Sequence, residues 1–209
     1  MKKIHLLFAI VLPASAALLQ GCFPVFVGAG AGAAMSAADR RTTGAQVEDE
    51  GIELKTSGRI GERYGDKVHV DVTSFNRSVL LTGEVPEPQM KTDIEKIALS
   101  VPNVRGVTNE IEIAGIPSAP ARANDGYLSA KVKTRFLEAG KFNPIHVKVV
   151  TEAGVVYLMG IVTEQEAADA VEIARTTGGV RKVVKIFEYC KPTDDICRPR
   201  EKPAAQPAK

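Results

Sequence analysis

Residues 146–166 decide the fold, and their sequence is His-Val-Lys-Val-Val-Thr-Glu-Ala-Gly-Val-Val-Tyr-Leu-Met-Gly-Ile-Val-Thr-Glu-Gln-Glu. Two apolar runs of strand length flank Ala153-Gly154, a pair typical of a β-hairpin turn. The stretch ends in Thr163-Glu-Gln-Glu166, a capping box in which two side chains satisfy backbone N–H groups at the start of a helix. The sequence therefore predicts two antiparallel strands followed by a helix.

The residues on either side of this hairpin complete a unit over residues 125–189. Upstream, Leu128, Val132 and Phe136 recur at intervals of four, which predicts one buried stripe on a helix. Downstream of the second helix, Val184–Glu188 alternates in the manner of a half-buried strand. The predicted order is α-β-β-α-β, with one three-stranded sheet packed with two helices.

The first half of the chain carries a weaker copy of this unit over residues 46–114. Leu81-Thr-Gly-Glu-Val85 matches Leu158-Met-Gly-Ile-Val162 at an offset of 77 positions, and His69 matches His146 at the same offset. Repetition at a fixed period indicates two copies of one supersecondary unit. The predicted fold class is therefore α+β, with two small α-β-β-α-β units.

Gly83 and Gly160 occupy equivalent positions near the end of the second strand in each copy. A strand glycine often marks a close approach by another part of the chain. We expect a helix to approach the strand there, so both glycines are predicted to be structural. Residues 115–124 contain two prolines and one glycine and are predicted to be a loop that links the units.

Residues 1–21 have the features of a secretory signal peptide, since Lys2 and Lys3 precede an apolar run that ends in small residues. Leu19-Gln-Gly-Cys22 resembles the lipobox of bacterial lipoproteins, in which the cysteine becomes the first mature residue and carries the lipid. The alternative is an ordinary secretory leader followed by a chance cysteine. Phe23 follows the cysteine, and in lipoproteins that resemble this one the absence of Asp there implies export to the outer membrane. The predicted location is therefore the outer membrane, lipid-anchored and facing the periplasm.

The predicted mature chain has no excess of either charge. The sequence has 27 basic and 25 acidic residues, and two lysines are lost with the leader, which leaves 25 of each. Bulk charge therefore gives no reason to expect a nucleic-acid partner. Residues 22–45, apolar and glycine-rich at their start, are predicted to be a lipidated flexible tether.

The sequence predicts no enzyme, cofactor or metal site. Neither His69 nor His146 has a serine or cysteine nearby in a triad-like context, so neither is predicted to be catalytic. Both are predicted to be surface or edge residues. Gly28-Ala-Gly-Ala-Gly32 lacks the strand and βαβ unit that surround a dinucleotide-binding loop.

Cys190 and Cys197 lie in the C-terminal tail, residues 190–209. In an oxidising periplasm they are predicted to form a local disulfide. The alternatives are a metal pair, which would need further ligands, and a redox pair, which a Cys-x-x-Cys spacing would fit better.

The order of elements, with a glycine after the Leu-x pair of each second strand and a Gly-Val pair before each last strand, resembles the BON domain. Asp39-Arg-Arg-Thr-Thr-Gly-Ala-Gln46 and Asn124-Asp125 ahead of Tyr127-Leu128 extend the resemblance to tandem BON-domain lipoproteins, over residues 1–189. The resemblance implies that the second unit binds anionic phospholipid, phosphatidylglycerol or cardiolipin. It also implies enrichment at the division site and support of outer-membrane integrity.

The first helix of the second unit carries the residues predicted to contact lipid. A stripe displaced from the buried one places an aromatic ring beside two cations, which suits an anionic headgroup layer. The predicted set is Tyr127, Leu128, Lys131, Thr134, Arg135 and Glu138. The alternative for this stripe is an ordinary solvated helix face.

A second hypothesis for function is a periplasmic adaptor that binds envelope-assembly or cell-wall-remodelling proteins. It would use an exposed sheet surface, with Phe75, Tyr157 and Phe187 as candidate contacts. Such side chains are more often found in a core. Binding to vesicles in the absence of other protein separates the two hypotheses.

Overall fold

A computed structural model of the chain describes residues 39–197. The predicted signal peptide, the lipobox with Cys22, residues 23–38 of the tether and residues 198–209 of the tail lie outside the described residues. Within residues 39–197, no helix has the length and apolar character needed to cross a membrane.

Each half of the chain folds into the predicted α-β-β-α-β order, so the predicted fold class is confirmed. The first unit comprises α1 (Thr43–Tyr64), β1 (His69–Phe75), β2 (Ser78–Val85), α2 (Pro88–Leu99), β3 (Gly106–Asn109) and β4 (Glu112–Ile113). The second unit comprises α3 (Ala119–Ala139), β5 (Val147–Glu152), β6 (Val155–Val162), α4 (Glu164–Arg175) and β7 (Lys182–Tyr189).

Both sheets are mixed and share one topology. The hairpin strands pair antiparallel, and the second strand of each hairpin pairs in parallel with the last strand of its unit. In the first unit this last strand is split into β3 and β4, both paired with β2. The split lies at Glu110 and Ile111, where the Ile111 side chain is 1% exposed and packs in the core of the unit.

Two helices begin earlier than predicted. α3 begins at Ala119, so the second half of the predicted linker, residues 119–124, is helical rather than loop. The side chain of Ser118 accepts a hydrogen bond from the N–H of Ala121 at 3.4 Å, and Pro120 occupies the first turn, where it costs no hydrogen bond. α1 begins at Thr43, which makes the last residues of the predicted tether helical.

The hairpin of the first unit is held by Asp49, a carboxylate on α1 that is 2% exposed. It accepts hydrogen bonds from the backbone N–H groups of Asn76 and Arg77 at 2.8 and 2.7 Å, and from the Ser74 hydroxyl at 2.7 Å. Arg41 adds an ion pair at 2.9 Å. Asn76 and Arg77 have φ of 50° and 67°, as the two central residues of a type I′ turn require.

The second unit repeats this arrangement with Asp125 on α3. Its two oxygens accept from the N–H groups of Ala153 and Gly154 at 3.0 and 2.8 Å. Those residues have φ of 47° and 74°. In both units, therefore, the first helix holds the turn of the hairpin through one buried carboxylate.

The central strands β2 and β6 are buried on both faces. Alternate side chains of β6, among them Val156 and Leu158, enter the core of the second unit. The intervening ones, Tyr157 and Met159, pack with Phe75 and with Leu80 of β2 in a third apolar cluster, the inter-sheet core. The two sheets therefore face one another across this core.

Gly83 and Gly160 have the predicted structural role, but the predicted cause is wrong. A Cβ atom at Gly83 would overlap the backbone carbonyl of His69, and one at Gly160 would overlap that of His146. The close neighbour is thus the chain at the start of the paired strand, not a helix. Gly83 also has φ of 113°, a conformation that favours glycine.

We expect Asp49→Ala to lower the free energy of unfolding by about 3 kcal/mol, because it leaves buried N–H groups without acceptors. Urea denaturation followed by circular dichroism would measure the change. Glu50→Ala, at an exposed position one residue along α1, is the matched control and should stay within about 0.5 kcal/mol of the parent. Equal effects of the two substitutions would contradict the role given to Asp49.

We expect Ala153→Asn to raise the free energy of unfolding by roughly 0.5 kcal/mol, because Asn tolerates positive φ better than Ala and Asn-Gly is the preferred type I′ pair. Gly154→Ala should do the reverse, since φ there is 74° and the new Cβ would lie 3.0 Å from Cδ of Arg181. The urea midpoints of the two variants should therefore move in opposite directions. A shift in the same direction would show that the turn conformation does not limit stability.

Candidate functional site

Helix α3 presents one long face to solvent in the second unit. Tyr127 on this face is 64% exposed, and Thr134 and Glu138 are also exposed. Leu128, one of the residues predicted to contact lipid, is 3% exposed and lies under the helix. Its inclusion in the predicted set is therefore wrong, because it belongs to the buried stripe with Val132.

The two predicted cations of α3 contact the loop after α4. Arg135 donates from Nη1 to the Ile173 carbonyl at 2.8 Å and to the Thr177 hydroxyl at 2.8 Å, so its charge lies at the C-terminal end of α4. Cations stabilise that end of a helix dipole. Arg135 thus connects α3 to α4, and its predicted contact with headgroups stays a prediction. Lys131 donates to the Gly178 carbonyl at 2.9 Å and lies 6.0 Å from the centre of the Tyr127 ring.

Leu137 was not in the predicted set, yet it is 68% exposed. It lies ten residues after Tyr127, which is about 15 Å along the helix axis and about 80° around it. The two side chains are therefore apolar groups toward opposite ends of one exposed face. Lys133, also exposed, lies on the same side of the helix as Leu137. The sequence did contain a signal for its exposure. Leu137 follows Phe136 by one residue and so lies about 100° around the helix from the buried stripe of Leu128, Val132 and Phe136.

Two of the three side chains predicted as adaptor contacts are buried. Phe75 is 4% exposed and Tyr157 is 3% exposed, and both lie in the inter-sheet core. Phe187 is half-buried and packs against the core of the second unit. Phe75 and Tyr157 are therefore wrong as predicted contacts, because the two sheets cover them, whereas Phe187 stays a prediction.

His69 lies on the edge strand β1, one of the two positions predicted for it, and is half-buried beside carboxylates of both units. Its Nε2 lies 4.0 Å from Oε1 of Glu152, and Glu84 is its partner across the hairpin. Burial raises the pKa of Glu152, to about 7, and the charges of Glu84 and Asp71 act in the same direction. Burial also raises the pKa of Glu84, against the opposing effect of His69.

His146 is likewise half-buried rather than at the surface. It ends a short 3-10 helix ahead of β5, and its Nδ1 lies 3.2 Å from Oε1 of Glu166. Glu166 also pairs with Arg40 at 2.7 Å and accepts from the Thr163 N–H at 2.8 Å, which completes the predicted capping box. Burial would raise the pKa of Glu166, but Arg40, the Thr163 backbone and His146 outweigh it and lower the pKa to about 2.

Cys190 and Cys197 are paired in a disulfide, with their Cα atoms 6.1 Å apart. The Cys190 N–H donates to the Val162 carbonyl at 3.0 Å, so the loop begins directly at the edge of the second sheet. Cys197 is buried, and its carbonyl accepts from Arg40 at 3.4 Å. The loop therefore packs on the second unit.

The BON domain profile matches residues 48–115 and 124–191, so the chain belongs to the BON-domain family and carries two copies of the domain. Members of this family are non-enzymatic binding proteins that associate with membranes or phospholipid. Within the family, the chain is a DolP-like lipoprotein of the outer membrane, anchored by lipid and facing the periplasm. The predicted family and location are thereby confirmed.

The chain is similar to two known proteins over most of its length. Outer membrane lipoprotein DolP of Haemophilus influenzae is 36% identical over 181 residues, which cover 86% of this chain and 94% of the relative. A protein named 21 kDa hemolysin, from Actinobacillus pleuropneumoniae, is 28% identical over 153 residues, 72% of this chain and 79% of the relative. Among solved structures, CdsD of the Chlamydia trachomatis type III secretion system gives a TM-score of 0.27 at 12% identity, covering 70% of this chain and 93% of that one.

The low pKa of Glu166 makes a testable contribution to acid stability. Its ordinary pKa is 4.5 and its value in the folded protein is about 2. The unfolded chain therefore binds more protons between these values, and the free energy of unfolding falls as pH drops from 4.5 to 2. The contribution that is lost is roughly 3 kcal/mol.

We expect Glu166→Gln to remove that part of the acid sensitivity, so that its urea midpoint falls less steeply between pH 4.5 and 2 than the parent's. At pH 7 the variant should be less stable than the parent. Glu164→Gln, an exposed position in the same helical turn, is the control and should keep the slope of the parent. A parent-like slope in Glu166→Gln would refute the assignment.

Proposed function

We propose that the second unit binds anionic phospholipid through the exposed face of α3 and so places this lipoprotein on particular regions of the outer membrane. The observation that carries the proposal is the exposure of Tyr127 and Leu137, at 64% and 68%, on one face of a helix that also bears Lys131 and Lys133. Large exposed apolar side chains beside cations fit the boundary between headgroups and acyl chains.

The physical contributions differ along the face. Tyr127 and Leu137 would each bury apolar area among the acyl chains, worth roughly 1.5 kcal/mol or more apiece. Lys131 and Lys133 would each contribute about 1 kcal/mol beside an anionic surface. Arg135 contributes by positioning α3, since its guanidinium donates to α4 and to the loop that follows it.

The anchor in this proposal is Cys22, acylated at the start of the mature chain. Two signals together, the acyl chains and the α3 face, suit stable and lipid-selective attachment better than either does alone. Phosphatidylglycerol and cardiolipin are the anionic lipids we infer for this site. The protein acts without catalysis, and through this binding it supports outer-membrane integrity, including at the division site.

The likeness to an outer membrane lipoprotein supports this proposal over the adaptor. Within residues 39–197, the aromatic side chains predicted to contact partner proteins are buried or half-buried, whereas the α3 face is open. The first unit is a weaker lipid candidate, because α1 bears the exposed acidic residues Glu50 and Glu62, which anionic headgroups would repel.

Flotation tests the proposal without the acyl anchor. The chain from Ser36 onward should float with vesicles of phosphatidylglycerol, but not with vesicles of phosphatidylcholine, and less at physiological than at low salt. Tyr127→Ala and Leu137→Ala should each weaken binding about tenfold, and Lys133→Glu should weaken it at least fivefold.

Helix α1 offers matched controls for these variants. Leu54 is 76% exposed and Lys55 is its exposed neighbour, so Leu54→Ala and Lys55→Glu make the same changes on the other unit. They should leave flotation unchanged. If the parent chain floats neither at low nor at physiological salt, lipid binding by α3 is refuted. Equal losses in the α3 variants and the α1 controls would assign the binding to a diffuse apolar or electrostatic effect.

A further inference from the structure

Three side chains with metal-binding atoms meet where the two sheets face one another. His69, Glu84 and Glu152 each offer one such atom, and these atoms lie within 4.8 Å of one another. His69 and Glu84 pair across the hairpin of the first unit, whereas Glu152 ends β5 of the second unit. We name these three residues the junction cluster.

Strand alternation places the junction cluster on the inner faces of the sheets. His69 lies on the same face of β1 as Phe75, and Glu152 lies on the same face of β5 as Val150, since residues two apart share a face. Phe75 and Val150 belong to the inter-sheet core. The cluster therefore continues the inter-sheet core at one end, with carboxylates where apolar side chains stand elsewhere.

Burial makes this composition costly. Glu84 is 6% exposed and Glu152 is 7% exposed. The Oε2 atom of Glu84 is fully buried and has no hydrogen-bond partner among the described residues. A buried carboxylate oxygen without a donor is strongly disfavoured unless a cation or a donor reaches it.

The charged neighbours of the cluster do not relieve this cost. Asp71 and Glu112 are close enough for their charges to raise the pKa of both buried carboxyl groups. Asp125 acts in the same direction, and its oxygens already accept from the hairpin turn of the second unit. The site thus holds two buried carboxyl groups with raised pKa values beside one imidazole.

We propose that the junction cluster binds a divalent first-row transition cation such as Zn²⁺, with His69, Glu84 and Glu152 as its protein ligands. One imidazole nitrogen and two carboxylates are donors that Zn²⁺ takes up readily. Mg²⁺ and Ca²⁺ prefer sites made of oxygen atoms alone, so the histidine favours the transition cation. The bound cation ties β1 and β2 of the first unit to β5 of the second.

The equivalent histidine of the second unit shows what the site requires. His146 lies 3.2 Å from the carboxylate of Glu166, whose oxygens already accept from Arg40 and from the Thr163 N–H. At the position of Glu84, the second unit has Ile161. Of the two histidines, only His69 is grouped with two carboxylates among the described residues. His146→Gln is therefore a matched control, because it removes the equivalent histidine from a position outside the junction cluster.

Calorimetric titration of the full chain with Zn²⁺ tests the proposal. The protein is purified from membranes in non-ionic detergent without a polyhistidine tag. Its cysteines are kept oxidised, and a chelator removes any bound metal before the titration. One Zn²⁺ per chain should bind in the micromolar range or tighter and should raise the midpoint of thermal unfolding. Mg²⁺ at the same concentration should do neither. His69→Gln, Glu84→Gln and Glu152→Gln should each weaken Zn²⁺ binding at least tenfold, and His146→Gln should change it less than twofold.

Folding of the variants is checked separately. Glu84→Gln and Glu152→Gln keep the side-chain volume and remove a buried charge, so both should keep the far-ultraviolet circular dichroism of the parent. Visible absorption of bound Co²⁺ gives a readout independent of stability, and it should be present in the parent and lost in Glu84→Gln. Absence of saturable binding in the parent, or parent-like binding in folded His69→Gln and Glu84→Gln, would overturn the proposal.

Discussion

A single buried carboxylate on the first helix of each unit fixes the turn of the hairpin beneath it, and the rest of the fold depends on this contact. Asp49 and Asp125 accept from consecutive N–H groups that point away from the sheet ladder. The two residues that donate these N–H groups both have positive φ in each unit, which is the conformation of a type I′ turn. Since the turn sets strand register, it also sets which side chains face the core.

That register explains why the two units form one body in residues 39–197. Each unit is small, and a domain of that size has limited apolar surface to bury. The inner face of each sheet adds to the burial, because Leu80 of β2 and Met159 of β6 meet in the inter-sheet core. Polar pairs lie around it, such as Lys148 with Glu53 at 2.8 Å. The helices are left on the outer sides, where α3 exposes Tyr127 and Leu137.

Much of this architecture could be predicted from the sequence, because the signals were local. The capping box, the alternating strands and the 77-residue offset lie within short windows, and the structure contains the elements they predict. The length of α3 was missed because Ser118 and Pro120 lie in a segment whose composition is typical of a loop. A proline is acceptable in the first helical turn, so composition alone could not place the boundary.

The candidate site was predicted only in part, for a different reason. Helical periodicity identified the face that contains Tyr127, but it could not show that Arg135 reaches Ile173, 38 positions away. The burial of Phe75 and Tyr157 likewise depends on sheet packing between units. The junction cluster joins residues 69, 84 and 152 for the same reason, so single-segment patterns contain no trace of it.

The contacts of Arg40 fix the point at which the N-terminal segment, with the proposed anchor Cys22, joins the folded part of the chain. Arg40 is held against the second unit by Glu166, the Ile161 carbonyl and the Cys197 carbonyl. Eighteen residue steps separate it from Cys22, and a chain of that length extends at most about 60 Å. In the anchoring proposed above, with Cys22 as the acylated residue, the second unit, which bears α3, therefore stays within about 60 Å of the bilayer. On this proposal the local concentration of α3 at the bilayer is high, so even weak headgroup contacts would form again soon after they break.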